Sequence, residues 1–89
     1  MVTKRLTILN EQGFHVRPAQ LFTDKATGFA ATIKVKNANG DEADAKSMLG
    51  LMTLGLAKGD QITIEADGPD EQEAIVSLTQ MIESLFGEV

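Results

Sequence analysis

The sequence predicts an α+β domain in which four strands form an antiparallel sheet and three helices cover one face, in the order β-α-β-β-α-β-α. Several segments alternate apolar and polar residues, which is typical of strands with one buried and one solvated face. Residues 37–40, Asn-Ala-Asn-Gly, predict a hairpin between two of them. The remaining connections carry apolar residues at helical spacing, which can bury one face of the sheet. A ferredoxin-like fold shares the first six elements and would be the prediction without the motif in residues 13–19.

Alternation sets the strand boundaries. The strands are predicted over residues 2–9, 31–37, 41–45 and 61–66. The second and third flank the hairpin, so we expect Lys34 and Lys36 to meet Glu42 and Asp44 across it. Such surface pairs contribute only about 0–1 kcal/mol.

Capping residues and spacing set the helix boundaries. Pro18 is expected to begin the first helix, because proline is tolerated in the first turn, and Gly28 is expected to cap its end. Ser47 is a good N-cap for a short second helix. The third helix has an apolar stripe and ends at Gly87; the stripe consists of Ile75, Leu78, Ile82 and Leu85. The acidic cluster around its start is expected to pair with the helix dipole and not to bind a metal; it consists of Asp67, Asp70, Glu71 and Glu73.

Length and composition fit one small domain, residues 1–89. The chain has no cysteine and one histidine, which argues against disulfides and against a thiolate or histidine metal site. A formal charge of −5 disfavours nucleic acid as a partner. No apolar run approaches the roughly 20 residues of a membrane span. The N-terminus lacks the apolar core of a signal peptide, so we expect a cytoplasmic protein that does not bind a membrane.

The most informative stretch is residues 13–19, Gly-Phe-His-Val-Arg-Pro-Ala. It places His15, a nucleophile when neutral, beside a helix start whose free N–H groups and dipole favour an anion. Arg17 adds a planar cation that matches phosphate oxygens. This combination predicts a phosphoryl group on His15. The alternative is a solvated loop histidine or a helix cap, which is the commoner role of a lone histidine in such a position.

Residues 13–19 resemble the active-site signature of HPr, the phosphocarrier family of the bacterial phosphoenolpyruvate-dependent sugar phosphotransferase system. Residues 46–55, Lys-Ser-Met-Leu-Gly-Leu-Met-Thr-Leu-Gly, resemble the second signature of that family. The resemblance covers essentially the whole chain and implies an open-faced β-sandwich. It implies that His15 accepts a phosphoryl group, on Nδ1, from Enzyme I and passes it to IIA components. It also implies a monomeric carrier with no cofactor and no turnover of its own.

The resemblance further assigns a docking surface for Enzyme I and the IIA domains. Its residues are Val16, Arg17, Gln20, Leu21, Met48, Leu49 and Met52. One short helix cannot bury five large apolar side chains, so Leu51 and Leu54 are expected in the core and the others partly exposed. Val16 departs from the usual small residue or threonine, and we expect it to affect the transfer rate only.

Ser47 is the second expected modification site. In many HPr proteins the matching serine is phosphorylated by an ATP-dependent HPr kinase/phosphorylase, and phosphate there would hinder transfer to His15. Three alternatives remain open. One is a co-regulator that, phosphorylated on Ser47, binds a catabolite-control transcription factor. The others are a nitrogen-branch phosphocarrier with the same chemistry and a small ligand-binding or structural domain of ferredoxin-like type in which His15 and Arg17 are incidental.

Overall fold

The computed structural model describes residues 1–9, 13 and 16–84, and these residues form the predicted order of elements. The elements are β1 (Val2–Thr7), α1 (Val16–Thr27), β2 (Thr32–Asn37), β3 (Glu42–Asp44), α2 (Met48–Thr53), β4 (Gln61–Asp67) and α3 (Glu71–Glu83). Each observed strand lies within one or two residues of its predicted boundaries. None of the helices in these residues is long and apolar enough to cross a membrane.

The four strands form one antiparallel sheet in the order β1-β4-β2-β3. The ferredoxin-like alternative is therefore wrong, because that fold places its first and third strands at the centre, whereas here β4 lies between β1 and β2. In the register, Leu6 lies opposite Ile62, and Val35 lies opposite Ile64. Apolar residues of neighbouring strands consequently share the face that the helices cover.

The core lies between this face of the sheet and the three helices. Its largest fully buried side chains include Phe22 of α1, Leu51 of α2 and Leu78 of α3. Alternating residues of β4 are buried while their neighbours are not, as expected for a sheet with one open face. The predicted α3 stripe is confirmed for Ile75, Leu78 and Ile82, whereas Leu85 and Gly87 lie outside the described residues.

The hairpin between β2 and β3 forms as predicted. Asn37 N–H donates to the Asp41 carbonyl at 2.9 Å, and the Asn37 side-chain oxygen accepts from the N–H groups of Asn39 and Asp41, both at 3.0 Å. The predicted register across the hairpin is confirmed, because Lys34 lies opposite Asp44 and Lys36 lies opposite Glu42, but the ion pairs differ from the prediction. Both Lys34 and Lys36 pair with Glu42, whereas the Asp44 carboxylate accepts from the N–H of Lys46 at 2.9 Å.

Helix α1 ends at Thr27 as predicted, but its first residue and the conformation of Gly28 differ from the prediction. The helix begins at Val16, two residues before Pro18. Proline is compatible with this position because the first four N–H groups of a helix lack intrahelical partners. Gly28 does not adopt the left-handed conformation of a glycine cap. Instead the helix ends in a tighter turn, in which Gly28 N–H donates to the Lys25 carbonyl at 3.1 Å.

The acidic residues at the start of α3 form specific contacts that the dipole interpretation missed. Asp70 is the N-cap residue, but its carboxylate makes no capping bond and accepts instead from the N–H groups of Ala30 and Ala31, at 2.8 and 2.9 Å. These bonds, chiefly the one from Ala30, hold the pKa of Asp70 below its usual value. Asp70 therefore fastens the α1–β2 turn to α3. The bond from the N–H of Gly68 likewise lowers the pKa of Glu71.

Candidate functional site

The N-terminus of α1 places the residues that follow the predicted nucleophile. His15 lies outside the described residues, and Val16, next in the chain, is the first residue of α1. Val16 and Arg17 are exposed in the first turn, while Pro18 and Ala19 are buried beneath them. This turn carries no acidic side chain, so no carboxylate of the helix competes for its free N–H groups. The turn can therefore attract an anion, and the exposed Arg17 adds a positive charge to it.

The approach to this turn is fixed at Gly13. This glycine is buried and has a φ of +63°, a conformation that residues with a Cβ seldom adopt. A Cβ added here would collide with the Leu56 carbonyl oxygen and would approach Ala57 Cα to 2.7 Å. The backbone of Gly13 thus lies directly against the segment that follows α2.

Ser47 is confirmed as the N-cap of α2. Its backbone is extended, and its Oγ accepts from the N–H of Gly50 at 3.1 Å. The residue is half-buried, and the helix that it begins has only six residues. A charged group on this Oγ would lie at the end of α2 where N–H groups point outward.

The apolar residues of α2 divide between core and surface as expected. Leu51 is fully buried and Leu54 packs against the core, whereas Leu49 is 79% exposed and Met52 is 37% exposed. Met48 is half-buried. Leucine and methionine side chains left open to solvent on one short helix form an adaptable apolar surface.

Helix α1 packs against α2, and it carries the remaining predicted contact residues. Val16 is 55% exposed and Gln20 is exposed, while Leu21 is half-buried against the core. The exposed residues of α1 and α2 thus lie on two helices in contact. We use the name docking surface for the predicted partner-contact residues of these helices, which are all exposed or half-buried: Val16, Arg17, Gln20, Leu21, Met48, Leu49 and Met52.

One contact near this surface was missed from the sequence. The Lys46 ammonium donates to the Phe29 carbonyl oxygen at 2.8 Å and so ties the residue before Ser47 to the turn after α1. Asp70 holds the same turn from α3. These partners lie 17 and about 40 positions apart in the chain, and no local pattern indicates either contact.

Comparisons with known proteins agree on one family. The family model described as PTS HPr component phosphorylation site matches residues 2–84. The phosphocarrier protein HPr of Cupriavidus necator is 41% identical over 88 residues, which are 99% of this chain and 98% of that protein. The phosphocarrier protein NPr of Escherichia coli K12 is 39% identical over 87 residues, 98% of this chain and 97% of that protein.

Solved structures agree with the fold. A crystal structure of HPr-C-His from Thermoanaerobacter tengcongensis has a TM-score of 0.96 and 42% identity, covering 100% of this chain and 99% of that one. The Bacillus subtilis catabolite repression protein Crh has a TM-score of 0.75 and 33% identity, covering 96% and 97%, and is described as a swapped dimer. Since a relative forms a dimer, the expectation of a monomer is not confirmed.

Proposed function

The chain belongs to the HPr family of phosphocarrier proteins, and on that premise we propose that His15 accepts a phosphoryl group from phosphorylated Enzyme I and passes it to IIA components during sugar uptake. The observation that carries the proposal is the match over residues 2–84 to a family defined by its phosphorylation site, in a chain whose only histidine is His15. The family is one of carriers and not of catalysts. We accordingly expect no turnover by the isolated protein.

The described first turn of α1 supports this chemistry. Its free N–H groups and the exposed Arg17 guanidinium can offset the negative charge of the phosphoryl group while it is held and while it leaves. The first turn of α1 carries no side chain that can act as a general acid or base, because the Arg17 guanidinium stays protonated; its contribution is positional and electrostatic. We propose that the imidazole nitrogen Nδ1 forms the new N–P bond as the bond to the donor breaks.

The docking surface is the proposed contact for both Enzyme I and the IIA domains. Val16 is exposed in the first turn of α1, and Leu49 and Met52 are exposed on α2, which contacts α1. A partner that covers these apolar residues would exclude water from the transfer site. A carrier must bind a donor and several acceptors through one surface, and methionine adapts to different partners. We also propose that the protein is a cytoplasmic monomer, in which no second copy covers this surface. Light scattering at the assay concentration gives the molecular mass and tests this.

The decisive test uses phosphoenolpyruvate, magnesium and an Enzyme I from the same organism. Wild type and His15→Ala are incubated with this mixture and analysed by intact mass and by acid lability. We expect a single acid-labile phosphate on the wild type and none on the variant. Absence of phosphate on the wild type contradicts the relay and moves the Ser47-phosphorylated co-regulator to first place.

We propose that Ser47 is a regulatory site for an ATP-dependent HPr kinase/phosphorylase. Phosphate on its Oγ would be tolerated at the N-terminus of α2 but would place negative charge on the helix that carries the exposed Leu49 and Met52. Ser47→Asp is expected to slow transfer from Enzyme I, whereas Ser47→Ala should transfer normally and resist the kinase. A wild-type transfer rate in Ser47→Asp contradicts regulation by charge.

The similarity to Crh favours a second candidate function, that of a co-regulator which binds a catabolite-control transcription factor when Ser47 is phosphorylated. The two functions are compatible in one chain. The similarity to NPr supports the other alternative, a phosphocarrier with the same chemistry whose partners belong to the nitrogen branch. Measuring phosphoryl transfer to IIA components of each branch distinguishes the partner sets.

A further inference from the structure

The contact between Gly13 and the segment after α2 has a geometry that only glycine satisfies. Gly13 is buried and left-handed, with a φ of +63°, and its Cα faces the Leu56 carbonyl and Ala57 Cα without room for a side-chain carbon. Two separate constraints therefore act on this position. One is the backbone conformation, and the other is the close approach of a second backbone.

The segment against which Gly13 packs is itself held in place. Ala57 N–H donates to the Asp60 carboxylate at 2.9 Å, and Asp60 N–H donates to the Ala57 carbonyl at 3.0 Å. We call residues 56–60 the brace. These two bonds close it into a turn, so its backbone presents a fixed surface to Gly13.

The brace also holds the end of β1. Ile8 N–H donates to the Asp60 carbonyl at 2.9 Å, and Gly59 N–H donates to the Ile8 carbonyl at 2.8 Å. Ile8 is fully buried, so this junction is anchored in the core. The brace therefore contacts the chain at Ile8 and again at Gly13, on either side of residues 10–12.

We infer that Gly13 is a positioning residue for His15, and that it acts by resting on the backbone of Leu56 and Ala57. The inference rests on the proposed function, because it concerns where the phosphoryl acceptor is presented. Gly13 fixes the chain two residues before His15, and α1 begins one residue after it. A displacement of about 1 Å at a transfer site can reduce a rate by roughly a hundredfold.

The chain offers a matched control for the steric part of this role. Gly55 has the same φ of +63°, but a Cβ added there would meet nothing within 4 Å. Gly55→Ala and Gly13→Ala therefore both place an alanine in a left-handed backbone conformation that it disfavours. Only Gly13→Ala also places a Cβ against the brace and pushes residue 13 away from Leu56 and Ala57. A difference between the two variants reports the contact.

The experiment compares the full-length wild type, Gly13→Ala and Gly55→Ala. Thermal melting establishes a temperature at which all three are folded. Single-turnover phosphorylation by phosphorylated Enzyme I, over a range of carrier concentrations, separates the rate constant from the apparent affinity. The imidazole Hε1 resonance of His15, the only histidine, gives its chemical shift and titration without any transfer.

We expect Gly13→Ala to lower the rate constant at least tenfold and to move the His15 resonance, while Gly55→Ala stays within about twofold of wild type in rate and leaves the resonance unmoved. Equal rates in wild type and Gly13→Ala with an unmoved resonance overturn the inference, as does equal slowing in both variants. A wild type that accepts no phosphate defeats the proposed function, and the resonance then decides the inference alone.

A second variant covers the case in which Gly13→Ala does not fold. Asp60→Ala removes the carboxylate that holds Ala57 N–H and leaves Gly13 itself unchanged. We expect it to move the same imidazole resonance by loosening the brace. An unmoved resonance in folded Asp60→Ala overturns the role of the brace in positioning His15.

Discussion

Replacing Leu49 by alanine should weaken partner binding without weakening the fold. The side chain is 79% exposed, so it contributes little to folding, and the change in unfolding free energy should stay within about 0.5 kcal/mol. If Enzyme I buries the leucine, alanine removes three carbons that each contribute about 0.8 kcal/mol. Allowing for incomplete burial, the loss is about 2 kcal/mol, or roughly thirtyfold in affinity.

Two residues provide controls for this substitution. Val76 on α3 is an apolar side chain of similar size, 53% exposed, and it lies outside the docking surface. Val76→Ala should change neither stability nor binding. Leu51 lies two residues from Leu49 in α2 but is fully buried, so Leu51→Ala should cost about 2–5 kcal/mol of stability.

The assay combines urea unfolding of each variant with isothermal titration calorimetry against Enzyme I, and with kcat/KM for carrier phosphorylation. Calorimetry is performed where every variant is folded, so that lost stability cannot mimic lost affinity. Leu49→Ala binding as tightly as wild type would refute the docking surface as drawn. Equal losses of affinity in Leu49→Ala and Val76→Ala would show that the assay reports general surface hydrophobicity.

Three further predictions concern the proposed phosphate contact of Arg17 and two contacts of the structure. Arg17→Lys keeps the charge but loses the planar pair of donors, so the rate of carrier phosphorylation should fall about tenfold. Rapid-quench kinetics measures this rate, and an unchanged rate excludes a bidentate contact with the phosphoryl group. The pKa of Asp70 is lowered in the folded state, so the stability that its carboxylate contributes is present above the unfolded pKa of about 4 and is lost as pH falls through the folded pKa. In Asp70→Asn, the free energy of unfolding measured with urea should therefore fall less steeply at acid pH than in the wild type. The ion pair of Lys36 with Glu65, at 3.0 Å, raises the pKa of Lys36. The stability that it contributes is therefore present below the ordinary lysine pKa of about 10.4 and is lost as pH rises through the folded pKa. In Glu65→Gln the melting temperature should fall less at alkaline pH than in the wild type, and an identical fall contradicts the pairing.

Local patterns predicted the elements well because each element here has a simple reason to form. The alternation of Ile62, Ile64 and Ala66 with polar neighbours reflects one buried face of β4, and burial follows that alternation. The order of strands could not be predicted in the same way, because alternation indicates which face is buried and not which strand is adjacent. The family resemblance, and not the periodicity, separated this fold from the ferredoxin-like one.

The errors have two physical causes. A local signal can fit several neighbouring positions, and a contact between residues far apart in the chain leaves no local signal. Pro18 indicates that a helix start is near, but proline fits any of the first few positions, so the start at Val16 was missed. Asp70 was assigned to the helix dipole because that effect is local, whereas its actual partners, Ala30 and Ala31, are about 40 residues away. The motif of residues 13–19 includes Gly13, but nothing in the local sequence indicates that this glycine lies against Leu56 in the fold.

The same two helices supply the core and the docking surface, and their residues divide cleanly between these roles. Ala19 and Phe22 of α1 and Leu51 of α2 are fully buried and hold the helices on the sheet, whereas Val16 and Leu49 are largely exposed. Substitution of the exposed residues therefore costs little folding free energy, so partner preference can change while the fold is retained. The buried residues, in contrast, fix the helices from which the exposed ones project. This arrangement fits the proposed carrier, because a surface that meets several partners can change while the helices that position it stay in place.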